Sequence, residues 1–157
     1  MCSRRWAILA AVLVGGIMAP LDGSIVNVTL PTIALDFGAS MAVAEWVPVI
    51  YLLILSGVML TFGRLGDMWG YRRLFLSGLV FFVIASALCG LSGSISMLIM
   101  SRGFQSLGAC MFTSVLPAII AATFPPSERG RALGLNGMTV ALGLALGPSL
   151  GGMISSW

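Results

Sequence analysis

An all-α membrane protein with five transmembrane helices is the fold class this sequence predicts, and three observations predict it. Of its 157 residues, 59% are apolar and 8% charged, whereas soluble domains are about half apolar and about a quarter charged. Five apolar runs recur between polar breaks, each with at least the roughly 17 residues that cross a ~30 Å hydrocarbon core. The runs do not alternate and far exceed the ~10-residue strands of a membrane β-barrel, which excludes that class. Five spans of about 20 residues use about 100 positions, so no large aqueous domain fits.

The helices are expected near residues 6 to 33, 46 to 62, 74 to 91, 96 to 123 and 132 to 155, all within one domain, 1 to 157. The first follows the opening Ser3-Arg4-Arg5-Trp6, a basic start like that of an export signal. Its apolar run is too long for a signal core, lacks an A-x-A-like exit and is followed by four more spans, so it reads as a signal anchor. The second run, of about 17 residues, barely spans the core, whereas the fourth, of about 28, should tilt or protrude. The fifth carries a glycine stripe at residues 143, 147 and 151 and a proline at 148 that should kink it.

Charge position gives the orientation. Seven of the eight arginines fall on one side: Arg4 and Arg5 before the first helix, Arg64, Arg72 and Arg73 between the second and third, and Arg129 and Arg131 between the fourth and fifth. The opposite connections hold Asp36 and Glu45 in one and only Gly and Ser in the other. The positive-inside bias therefore places the N-terminus in the cytoplasm and Trp157 at the outer face. The net charge of +3 comes with no basic run or basic face, so nucleic acid is a poor candidate partner.

Cys2, Cys89 and Cys110 share no CxxC spacing, and with no histidine in the chain they form no familiar zinc or haem set, so no metal or cofactor is expected. The absence of lysine excludes the phosphate-cradling G-x-x-x-x-G-K-[ST] loop, and with it ATP hydrolysis by this segment. Any work it does needs another energy source.

Asp22 lies inside the first helix, about nine residues before Pro31, hence roughly 13 Å below the outer face. A carboxylate there requires a partner, a wet cavity or protonation; intramembrane acids usually mark ion or proton pathways, although a capped structural residue near the interface is the bland alternative. Arg102, roughly 9 Å deep in the fourth helix, occupies the same half of the membrane. It either meets Asp22 and holds it ionised, or snorkels to the outer headgroups. Gln105, one turn on, adds a hydrogen-bonding neighbour. The segment from Gly63 to Arg73 is expected to be a tight loop, with Asp67 at the turn, favouring the next helix's N-terminus, and Arg72 and Arg73 anchoring to anionic headgroups. Composition alone supports an ordinary positive-inside loop, and only the whole pattern argues for a switch. The glycines of the fifth helix are at least a packing face.

Taken together these residues resemble the N-terminal part of a major facilitator superfamily transporter. Gly63, Asp67, Gly70, Arg72 and Arg73 are similar to that family's G-x-x-x-D-[RK]-x-G-[RK]-[RK] loop, with Met68 where a basic residue is usual. Arg102 and Gln105 are similar to R-x-x-Q-G, with Ser106 for the glycine. Gly134, Gly143, Gly147, Pro148, Gly151 and Gly152 match every fixed position of the drug antiporter pattern G-x8-G-x3-G-P-x-x-G-G. LDGSIVNVTLP, which contains Asp22, resembles the L-D-x-T-[IV]-V-N-V-A-L-P pattern of the fourteen-helix drug:proton antiporter branch, with Ser24 for threonine and Thr29 for alanine.

The resemblance implies proton coupling at Asp22 and Arg102, a gating loop at Asp67, and an exchange interface shaped by the glycine-proline helix. It implies efflux of lipophilic, often cationic drugs as protons enter across the cell membrane. The family builds each half from six helices around a site between halves. Five helices predict an incomplete N-terminal domain of a truncated or partial chain that does not transport without its missing C-terminal helices. A non-transporting scaffold, or inactive truncated product, is the alternative reading. An intramembrane enzyme is disfavoured because no nucleophile-base pair or metal-ligand set is present.

Overall fold

A computed structural model describes residues 2–155, with side chains for residues 5–153; Trp157, expected at the outer face, lies outside the described residues. The described chain folds as α1 (Cys2–Asp36), α2 (Met41–Ala44), α3 (Trp46–Trp69), α4 (Tyr71–Gly90), α5 (Ile95–Thr113), α6 (Leu116–Thr123) and α7 (Pro126–Ser155), with no strand among these residues. Five stretches are long and apolar enough to cross a membrane: Arg5–Asp36, Met41–Trp69, Tyr71–Gly90, Ile95–Thr123 and Pro126–Met153.

Two spans are broken, and proline places both breaks. Pro48 has no N–H for the carbonyl of Ala44, and α2 stops at Ala44; Pro117 stands in the same relation to Thr113, where α5 stops. The fourth span is thus two helices around Ser114 and Val115, not the single long rod expected. The second differs in the other direction. It covers 29 residues, because α3 runs straight through the segment expected to be a loop. Likewise α1 begins at Cys2, so Arg4 and Arg5 are on the helix and do not precede it.

The chain reverses between α3 and α4 at a single residue, Gly70, whose φ of 92° lies in the region that a side chain would strain. Its N–H closes α3 on Gly66 O at 2.9 Å.

α1 lies along α7, and α5 packs against both α3 and α4. In lipid, apolar area gives no driving force between helices, so close backbone approach and interhelical hydrogen bonds must hold them together. Gly78 and Gly108 supply the first at the α4–α5 crossing. A Cβ at Gly78 would sit 2.9 Å from the Phe112 backbone nitrogen, and one at Gly108 would sit 2.6 Å from that of Phe82. Beside them Phe112, fully buried, takes Phe75 and Phe82 edge-on at 6.3 and 5.5 Å. Ser106 supplies the second element: its hydroxyl donates to Tyr51 O at 2.7 Å, fastening α5 to α3 where the resembled pattern has glycine.

At the arginine-rich end, Trp6 meets Phe124 edge-on at 5.6 Å and carries the Arg131 guanidinium over its ring at 5.6 Å. Arg129 Nε donates to Phe124 O at 3.1 Å. These contacts tie the beginnings of α1 and α7 to the end of α6.

Candidate functional site

α1 and α5 bring Asp22 and Arg102 together. Arg102 Nη1 donates to Asp22 Oδ2 at 2.6 Å. Arg102 is 2% exposed, so it is not spread among outer headgroups and the snorkelling alternative does not describe it. Asp22 is 24% exposed and retains a path to the surroundings. Because α1 continues past Pro31 to Asp36, Asp22 lies ~21 Å along the helix from that end, deeper than the ~13 Å expected.

Gln105, 1% exposed, braces the pair. Its Nε2 donates to Asp22 Oδ1 at 3.0 Å and to Ser86 Oγ at 2.7 Å, while its Oε1 accepts from Arg102 Nη1 and from the Cys89 thiol at 3.8 Å. The Arg102 guanidinium also lies 4.7 Å from the centre of the Tyr51 ring, a cation–π contact from α3. The site thus draws on four spans. Ser86, Cys89 and Tyr51 carry no signal in the sequence, since isolated hydroxyls, thiols and tyrosines are ordinary in apolar helices. Only their register against Gln105 and Arg102 marks them.

Chemically, the arrangement is a carboxylate held by a permanent cation and an amide donor. The guanidinium is a permanent charge, so the carboxylate is its counter-charge inside the bundle. Protonating Asp22 would leave a buried cation with only Gln105 and the Tyr51 ring, and breaking a buried pair in this way costs about 3–5 kcal/mol. Loss of the carboxylate's charge would therefore favour rearrangement of α1 against α5.

The expected gating loop is not a loop. Gly63 and Asp67 lie on the last turns of α3, only Gly70 turns the chain, and Arg72 and Arg73 occupy the first turn of α4. Asp67 consequently lies in the last turn of α3, and its Oδ1 accepts from the hydroxyl of Tyr71, the first residue of α4, at 2.6 Å across the turn. An acid at a C-terminus and two bases at an N-terminus all oppose the helix dipole. Helix stability does not explain this placement.

On α7, Gly143, Gly147 and Gly151 face α1 at backbone distance, whereas a Cβ on Gly134 or Gly152 would meet nothing within 4 Å. Pro148 leaves the carbonyl of Leu144 without its helical donor, and the Ser24 hydroxyl of α1 donates to that oxygen at 2.9 Å. A Cβ on Gly147 would lie 2.2 Å from the Ser24 side chain, so glycine, proline and serine form one clasp two residues from Asp22 in sequence.

Comparison with known proteins places the chain in a family. The family model described as the Major Facilitator Superfamily matches residues 12–157. The chain is 41% identical over 96% of its length to the riboflavin transporter RibZ of Clostridioides difficile, covering 33% of that protein. It is 40% identical over 96% of its length to the tetracenomycin C resistance and export protein of Streptomyces glaucescens, covering 28% of it. To multidrug resistance protein 3 of Bacillus subtilis it is 36% identical over 99%, covering 30%. The chain thus spans about a third of the length of these curated relatives.

Proposed function

Because the chain belongs to the Major Facilitator Superfamily and is a multi-pass protein of the cell membrane, we propose that it serves a secondary transporter that expels lipophilic drugs in exchange for protons. The observation that carries this reading is the Asp22–Arg102 pair, 2.6 Å apart, with the arginine 2% exposed. A proton and a cationic substrate compete for one carboxylate. Substrate leaves when a proton takes its place, and the freed Arg102 drives α1 and α5 apart.

The arginine-rich end faces the cytoplasm, with the N-terminus on that side. There Gly63, Asp67, Gly70, Arg72 and Arg73 lock one face of the transporter against its other half; their charges oppose the local helix dipoles, which supports a role outside these helices. Gly134, Gly143, Gly147, Pro148, Gly151 and Gly152 shape the helix that moves between halves, with the substrate site between those halves near the midplane. Names of two of the relatives, for resistance and export, support drug as the substrate class.

The test uses proteoliposomes that hold a transporter of full family length carrying these residues, with an imposed pH gradient. Gradient-driven drug accumulation in the parent, lost in Asp22→Asn while drug still equilibrates downhill, is the expected result. Undiminished accumulation in Asp22→Asn would remove Asp22 from coupling. A second reading, transport of riboflavin or a chemically similar compound, is favoured by the 41% identity to a riboflavin transporter. Competition separates the two: excess riboflavin blocks drug movement only under the second reading.

A further inference from the structure

We propose that Ser86 of α4 is a positioning residue for the proton site, acting through the Gln105 amide; this rests on the reading of Asp22 as the group that gives and takes the proton. The amide can face its neighbours in two ways related by a flip. In the arrangement found, Nε2 donates to Asp22 Oδ1 at 3.0 Å and Oε1 accepts from Arg102. In the flipped one, an oxygen would face the carboxylate and an N–H₂ would face the guanidinium, both repulsive.

While Asp22 is ionised, the ion pair itself selects the first arrangement. Once the proton is loaded or Arg102 swings away, that selection weakens, and the neighbours on α4 must maintain it.

Ser86 is built to do so. Its single hydroxyl proton is committed to Phe82 O at 2.8 Å, one turn back on its own helix, so toward Gln105 its oxygen can only accept. The contact at 2.7 Å therefore requires Nε2, not Oε1. Cys89, one turn on from Ser86, turns its thiol to the other end of the amide at 3.8 Å, where a weak donor suits an oxygen. Both ends of the amide are thus read by α4, a helix that touches neither Asp22 nor Arg102 by a hydrogen bond.

The titratable and charged groups around Gln105 are Asp22 from α1, Arg102 from its own helix, Cys89 from α4 and Tyr51 from α3, the last reaching it through Arg102. Among them the amide has one function: to offer a donor to the ionised carboxylate each time it re-forms. A pinned donor favours the Asp22–Arg102 pairing, so releasing the pin should displace the pH profile of exchange upward.

The experiment measures the pH profile of proton-coupled drug exchange in proteoliposomes for a transporter of full family length carrying these residues and its Ser86→Ala, Ser86→Cys, Ser86→Thr and Asp22→Asn variants. Ser86→Ala should move the profile to higher pH by about half a unit, the equivalent of weakening one hydrogen bond. Ser86→Cys, nearly isosteric, should move it the same way by less, which keeps the test valid if the alanine variant fails to fold. Ser86→Thr, which retains a hydroxyl able to bond the same carbonyl, should restore the parental profile. Profiles of Ser86→Ala and Ser86→Cys that superimpose on the parent, with only the yield reduced, would assign Ser86 to packing and overturn the proposal. In that outcome Asp22→Asn still abolishes the pH dependence if the coupling reading holds. Persistent pH dependence in Asp22→Asn would instead sink that reading, and this proposal with it.

Discussion

Arg102 keeps a full charge at 2% exposure because three groups share it: the Asp22 carboxylate, the Gln105 amide oxygen and the Tyr51 ring face. Removing the guanidinium leaves Asp22 as an unpaired acid inside the bundle. Arg102→Ala should therefore lower stability by about 3–5 kcal/mol, read as a fall in thermal unfolding temperature in detergent. Arg102→Lys retains the charge but loses the flat face over Tyr51, and the expected loss is about 1 kcal/mol. Equal losses for the two would mean that charge pairing is not what holds the site. At this scale the sequence was informative where a residue type is costly. An acid and an arginine inside apolar runs must be accounted for, and a depth argument alone put Asp22 and Arg102 in one half of the membrane. Ser86 and Cys89 were illegible for the opposite reason. A serine that bonds its own helix, as Ser86 does with Phe82 O at 2.8 Å, costs nothing to bury and so attracts no notice.

Helix by helix, proline and glycine decide the geometry, and they were only half legible. The α7 stripe could be read because its glycines share one helix at four-residue spacing, and residues 143, 147 and 151 do face α1. Gly78 and Gly108 could not, because each is a single glycine whose partner lies on another helix. The breaks at Ala44 and Thr113 were open to the i−4 rule for Pro48 and Pro117 but were masked by the unbroken apolarity of the runs. The loop expected from Gly63 to Arg73 failed because glycine permits a turn without requiring one; within it only Gly70, at φ 92°, needs it. These contacts give a graded prediction. Gly147→Ala should drive a methyl into Ser24 and destabilise the bundle by about 1–3 kcal/mol. Gly134→Ala, with open space at its Cβ, should be neutral or slightly stabilising, since alanine favours the helix by up to ~1 kcal/mol. Thermal unfolding of the two variants side by side checks it, and equal effects would contradict the α1–α7 packing described.

For the molecule as a whole, five spans and their packing account for about a third of the length of the curated relatives. Fold class and family were legible because hydropathy and the spacing of a few glycines, arginines and acids are properties of the linear chain. The four-span convergence on Gln105 was not, since it depends on how the helices are rotated against one another. Orientation is tested by impermeant thiol labelling of intact cells. Ala39→Cys, in the connection before α2, should react at once, and Met68→Cys, beside the α3–α4 turn, only after permeabilisation, both above the background of the parent. The reverse pattern would invert the topology. The central claim is that one carboxylate in the bundle exchanges its proton for substrate, and equilibrium proton release on drug binding in weakly buffered detergent solution tests it most directly. A transporter of full family length carrying these residues should release protons into solution when drug is added, and its Asp22→Asn variant should bind drug without releasing any; release of equal size from both would contradict the account.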